Sequence, residues 1–133
     1  MVEKLVVVPK SWGYEKWIVN NDDYCGKILY FAAGHSCSFH YHIHKHETFY
    51  LQSGKMVIYL GYDTKRPIVD KQFMLLPGQV MTIKPTLVHR MTAIEDSELF
   101  EFSTHHEDDD SYRLNFDFNR INVMEKDGWP NEK

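Results

Sequence analysis

Residues 34–54 read GHSCSFHYHIHKHETFYLQSG. Five histidines, at positions 35, 40, 42, 44 and 46, fall within twelve residues, and Glu47 follows the last of them directly. SFHYHIH reads as a strand, and ETFYLQS reads as another that is closed by Gly54. Side chains i and i+2 of a strand point the same way. His40 and His42 therefore share a face, and two imidazoles so placed reach one ion. Glu47 opens the next strand-like run and can return toward the same face across a short turn. A fourth ligand must come from elsewhere; His89, in IKPTLVHRM just after a turn, is the candidate. Three imidazole nitrogens and a carboxylate oxygen suit Mn, Fe, Co, Ni, Zn or Cu(II), with open positions for a substrate. Spacing alone leaves His44 and His46 open as ligands.

Working outward, short strand-like runs recur between turn residues. KLVVV is a strand or arm ended by Pro9. YEKWIVN, KILYFAA, KMVIYLGY, IVDKQFMLL and QVMTIK follow, then LVHRMTAI ending in the turn EDS, and finally ELFEFST. No helix-period segment stands out before residue 105. An all-β sandwich or barrel is the expected class. The 133 residues are 43% hydrophobic, which supports one domain with a real core. We divide it into an N-terminal arm with edge strands over 1–20, a barrel core over 21–104 and a C-terminal tail over 105–133. The run EDDD in that tail reads as a solvated loop.

The formal net charge of −4 argues against nucleic acid or an anionic membrane as the partner, since both want a basic face. The only apolar run near the N-terminus, Leu5 to Val8, is too short for a signal-peptide core or a membrane span. Cys25 and Cys37 make no disulfide framework and read as free thiols. A cytoplasmic protein is expected.

The opening stretch resembles the first cupin motif, G-x5-H-x-H-x4-E-x6-G, at every fixed position: Gly34, His40, His42, Glu47 and Gly54. The second motif, G-x5-P-x-G-x2-H-x3-N, is met at Gly78 and His89. Lys84 stands at the proline with Pro85 beside it, Thr86 at the glycine and Ala93 at the asparagine. The resemblance implies a double-stranded β-helix, a jelly-roll barrel, with His40, His42, Glu47 and His89 holding a divalent metal (Mn, Fe, Co, Ni or Zn) inside one end. His35, His44 and His46 then become loop or rim residues. PKSWGYEKW, YCGKILYFAAG and ELFEFSTHHEDDDSYRL are similar to segments of type II phosphomannose isomerases. They are also similar to small one-domain cupins labelled sugar or mannose-6-phosphate isomerase-like. That implies a sugar or sugar phosphate as partner. Small cupins are commonly homodimers that pair sheet edges or exchange an N-terminal strand, for which KLVVV is the arm.

Lys27 shares a strand face with Leu29 and Phe31, while Ile28 and Tyr30 share the other. Both faces are apolar, so the pattern leaves open whether Lys27 lines the barrel or meets solvent. Inside, it would serve as acid, base or anion contact. Glu47 is the other candidate base, in conflict with its role as a tight ligand. Phe49, on the Glu47 face, is a candidate for the pocket floor. Arg113 either pairs with Asp109 or Asp110 or contacts substrate at the mouth. Three functions compete: an aldose–ketose isomerase, a non-catalytic carbohydrate-binding cupin, and an Fe(II)-dependent dioxygenase.

Overall fold

The computed structural model describes residues 1–66 and 68–114; the remainder of the expected tail, 115–133, lies outside the described residues. Among the described residues nine strands form one curled sheet: β1 (Val6–Lys10), β2 (Gly13–Asn20), β3 (Cys25–Phe31), β4 (His40–Tyr41), β5 (Glu47–Gly61), β6 (Lys71–Leu75), β7 (Val80–Ile83), β8 (Val88–Ser103) and β9 (Tyr112–Arg113). The order runs β1-β2-β3-β8-β4-β9, and β5 pairs with β6, β7 and β8. This is the all-β jelly-roll class expected from the sequence. The described residues contain no α-helix, only a 3-10 turn at Asp108–Asp110. No helix among them is long and apolar enough to cross a membrane.

Burial on β3 alternates strictly, placing Cys25, Lys27, Leu29 and Phe31 inside. Phe49, Leu51, Met56, Ile58 and Leu99 join them in the core, and Trp12 stacks on Phe31 at 4.0 Å between ring centroids. The core fills one end of the sheet; the other end is given to polar side chains.

Four strand boundaries differ from the sequence pattern. SFHYHIH forms only the two-residue strand β4, because the chain turns away after Tyr41 and the 43–45 amides bond to a side chain instead of to a neighbouring strand. Gly54 does not end a strand, and Glu95–Ser97 is not a turn: each lies within one long strand, β5 and β8. The register slips between Leu51 and Met56, so the pair bends without ending. Gly54 has φ +95°, and a Cβ there would collide with Ser97 Oγ and the Asp96 carbonyl. The Ser97 hydroxyl meanwhile accepts the Lys55 N–H at 3.0 Å and donates to the Glu95 carbonyl at 2.8 Å. Pro9 does not end the first strand either, which runs on to Lys10. A proline is tolerated there because β1 is an edge. β1 pairs with β2 of its own chain, Val6 opposite Trp17 through Lys10 opposite Gly13, so the arm is folded back as a hairpin.

Candidate metal centre

Three histidines converge at the polar end of the barrel. His40 on β4 lies directly across from His89 on β8, and His42 follows just past β4. Ring centroids are 4.2 Å apart for His40 and His89, 5.1 Å for His40 and His42, and 5.5 Å for His42 and His89. The ligand atoms of the three lie within 4.8 Å of one another. Glu47, the first residue of β5, brings Oε2 to 3.2 Å from His42 Nε2 and 3.1 Å from His89 Nε2.

Each imidazole is oriented by a backbone carbonyl. Nδ1 of His40 lies 2.8 Å from the Ser38 oxygen, that of His42 2.7 Å from Asp110, and that of His89 2.9 Å from Leu87. A carbonyl only accepts, so each Nδ1 carries the proton and each Nε2 presents a lone pair. Lone pairs aimed at a carboxylate oxygen repel unless a cation lies between them. Consistent with this, Glu47 Oε2 and His89 Nε2 are buried without a hydrogen-bond partner. Burial and the neighbouring His89 hold the His40 pKa well below its ordinary value. The donor set, three Nε2 atoms and a carboxylate, fits a divalent transition metal.

The turn before His89 departs from the motif in sequence. Thr86, at the glycine position, has φ +71°. That conformation costs a non-glycine residue on the order of 1–2 kcal/mol. The Thr86 N–H donates to the His42 carbonyl at 2.6 Å, tying the turn to the ligand segment.

A cavity of about 900 Å³ is lined by His40, His42 and Glu47. Lys27, Phe49 and Arg113 also line it, and His89 lies behind the lining, against His40 and Glu47. Lys27 is 3% exposed, with Nζ 3.5 Å from Glu15 and 4.3 Å from the Trp17 ring centroid. Register decides this orientation: Lys27 pairs with Trp17 on one side and Glu101 on the other, both facing inward. Phe49 is buried on the floor, and Arg113 is exposed at the mouth. Arg113 does not take up Asp110, whose carboxylate is engaged by the 43–45 amides. His35, His44 and His46 are exposed and lie outside the three-histidine cluster.

Several site residues carry no signal in the sequence. Lys45 is 3% exposed; its ammonium sits 3.4 Å from Glu47 Oε1, 2.6 Å from Glu101 Oε2 and 3.1 Å from His106 Nδ1. Burial would lower its pKa, but Glu101 and Glu47 outweigh burial and raise it. His106 is pushed down to about 4 by burial and by the Lys45 and Lys27 cations. Glu101 faces inward between Phe100 and Phe102, an inversion of the usual pattern. Read from sequence, FEF would place the aromatics inside.

Asp110 is buried, unlike the solvated loop that EDDD suggests. Its Oδ1 accepts the Ile43 N–H at 2.8 Å and its Oδ2 the Lys45 N–H at 3.0 Å, with His44 N–H shared between them. Its own carbonyl accepts from His42. Asp110 therefore clamps the segment that carries His42 and Lys45. Burial raises its pKa, but these three amides outweigh burial and lower it. Because the folded value lies below the unfolded one, its stabilisation is complete above the ordinary carboxylate pKa of about 4 and fades as pH falls below it. Asp110→Asn is expected to cost about 1–3 kcal/mol and to weaken metal binding roughly 10–100-fold. Thermal melts across pH and chelator competition check this, with the exposed Asp109→Asn as control; equal behaviour of the two variants would dismiss the clamp.

No family model matches the sequence. The chain is 32% identical to the D-lyxose/D-mannose isomerase of Thermosediminibacter oceani, over 68% of this chain and 61% of that protein. It thus spans about three-fifths of that relative's length. Among solved structures, the capsular polysaccharide assembling protein CapF of Staphylococcus aureus superposes with a TM-score of 0.73 at 17% identity, over 87% of this chain and 33% of CapF. A cupin superfamily protein of Desulfitobacterium hafniense gives a TM-score of 0.58 at 15% identity, over 80% of this chain and 84% of its own. The chain has the fold of the cupin superfamily. Within that fold it is similar in sequence to a sugar isomerase.

Proposed function

We propose that the chain is a metal-dependent aldose–ketose isomerase acting on unphosphorylated sugars. The observation that carries this reading is a second buried carboxylate, Glu101, lining the same cavity as His40, His42 and Glu47 of the His40, His42, Glu47 and His89 centre. One ammonium, Lys45, holds both carboxylates. The similarity to the D-lyxose/D-mannose isomerase supports the same class. A divalent transition metal bound there (Mn, Fe, Co, Ni or Zn) would supply Lewis-acid polarisation of the sugar's carbonyl and adjacent hydroxyl oxygens.

The chain's residues then divide the remaining work. Glu47 serves as ligand and the Lys27 ammonium is paired with Glu15, so the base role goes to Glu101. Its carboxylate takes the proton from C2 and returns it to C1, while the O2 hydroxyl proton passes to O1 and a carbonyl is left at C2. Lys45 positions Glu101 through the 2.6 Å ion pair. Lys27 is a hydrogen-bond donor for sugar hydroxyls, Phe49 closes the floor, and Arg113 contacts the substrate at the mouth. The cavity's buried ammonium groups are already matched by carboxylates, Lys27 by Glu15 and Lys45 by Glu47 and Glu101. That balance favours a neutral sugar over a sugar phosphate.

Proton NMR in D2O of the metal-reconstituted protein tests this with lyxose, mannose, mannose 6-phosphate and fructose 6-phosphate. Loss of the C2 proton signal together with new ketose signals is expected for lyxose or mannose. Turnover confined to the phosphates would change the substrate class. Silence with metal bound and sugar binding saturable would replace the enzyme with a carbohydrate-binding protein.

A further inference from the structure

His106 lines the cavity beside Lys45 and stands apart from the three-histidine cluster. Its side chain is only 12% exposed. Nδ1 lies 3.1 Å from Lys45 Nζ, and Nε2 lies 2.9 Å from Asp108 Oδ1. An ammonium only donates, so Nδ1 of His106 carries no proton and its Nε2–H donates to Asp108. His40, His42 and His89 hold the opposite tautomer. With its pKa pushed down to about 4, the His106 ring stays neutral at neutral pH and remains an acceptor. Strand β2 sets where the ring sits. The Asn20 side chain accepts the His106 N–H at 2.9 Å and donates to the His106 carbonyl at 3.0 Å. Trp17 meets the ring edge-on, 5.3 Å between centroids.

The Lys45 ammonium has three N–H donors to place. Around them stand Glu101 Oε2 at 2.6 Å, His106 Nδ1 at 3.1 Å and Glu47 Oε1 at 3.4 Å. The two carboxylates compete for one cation, and Glu47 belongs to the metal centre. A neutral acceptor leaves that charge balance unchanged and fixes where the ammonium sits between them. Without it a buried donor is stranded and the ammonium can shift toward Glu47. We propose that His106 is a positioning residue for the base: its Nδ1 anchors Lys45 against Glu101, while Asn20, Trp17 and Asp108 hold the ring for that task. The proposal rests on the isomerase reading, in which Glu101 takes the C2 proton. Misplacing a reacting group by about 1 Å costs roughly 10²-fold in rate.

Nitrogen–proton NMR spectra of the zinc-loaded protein should show the Nε2–H tautomer for His106, identified by the ring signal that His106→Asn lacks. Turnover of lyxose or mannose reads the consequence, with circular dichroism and metal content as controls. His106→Phe keeps the bulk of the ring without its acceptor. Its kcat should fall roughly 10²-fold, with KM changed by less than about threefold and metal content unchanged. His106→Asn puts an amide oxygen where Nδ1 stands and should recover kcat to within about tenfold of wild type. Asp108→Ala should cost only a few-fold, because Asp108 is 89% exposed and water can replace its oxygen. An Nδ1–H tautomer, an undiminished kcat in His106→Phe, equal losses in the Phe and Asn variants, or a change in KM alone would overturn the proposal. A wild type that turns over neither sugar would end the isomerase reading instead, and the spectra would still decide whether His106 accepts from Lys45.

Discussion

Replacing His89 with alanine is expected to remove both metal binding and turnover. His89 is fully buried, its Nε2 lies 3.1 Å from Glu47 Oε2, and its ring sits 4.2 Å from that of His40. Alanine leaves two imidazoles and a carboxylate around an enlarged space. Loss of a supporting contact behind a ligand weakens metal binding roughly 10–100-fold, and loss of the ligand itself should exceed that. Metal content after dialysis and competition with a chelator measure the effect, with circular dichroism as the folding control. His44→Ala and His46→Ala, at exposed positions outside the cluster, should leave metal content unchanged. Full metal content and turnover in stripped and reconstituted His89→Ala would place the centre elsewhere.

Glu101→Gln should reduce turnover by roughly 10²–10⁴-fold, the usual contribution of a positioned general base, without changing metal content. Glutamine keeps the shape of the side chain and removes its charge. Lys45 retains Glu47 at 3.4 Å, so the buried ammonium is not stranded without a carboxylate. Exchange of the C2 proton in D2O should fall in parallel with ketose formation, because one group serves both steps. Turnover within a few-fold of wild type would remove Glu101 from the reaction and return the base role to Lys27 or Glu47. Loss of metal together with activity would instead mark Glu101 as a support of the centre.

Much of the centre is legible in residues 34–54, for a local reason. Alternation along a strand sets which side chains share a face, so His40 and His42 can be paired without knowing what lies opposite. Glu47 and His89 require a turn and a distant strand, and they are placed by resemblance to the cupin motifs. Boundaries are less legible. Gly54 and Glu95–Ser97 look like strand ends, because glycine and short polar runs usually are. Here the Ser97 hydroxyl and the positive φ of Gly54 turn the same residues into a bend within two long strands.

Lys45, Glu101 and Asp110 show the opposite case. A lysine among histidines, a glutamate between phenylalanines and an aspartate in EDDD all carry the local signature of solvent-exposed residues. Each is buried because its partner arrives from far along the chain: Glu101 for Lys45, and the 43–45 amides for Asp110. The orientation of Lys27 is undecided by sequence for the same reason, since both faces of its strand are apolar. The all-β class and the pairing of His40 with His42 were determined by the sequence itself, through alternation and turn chemistry that act within a few residues. The inward turn of the charged side chains was decided only by tertiary structure. Burying a charge is tolerable only beside an opposite charge or an amide donor, and those partners come together only when the sheet curls.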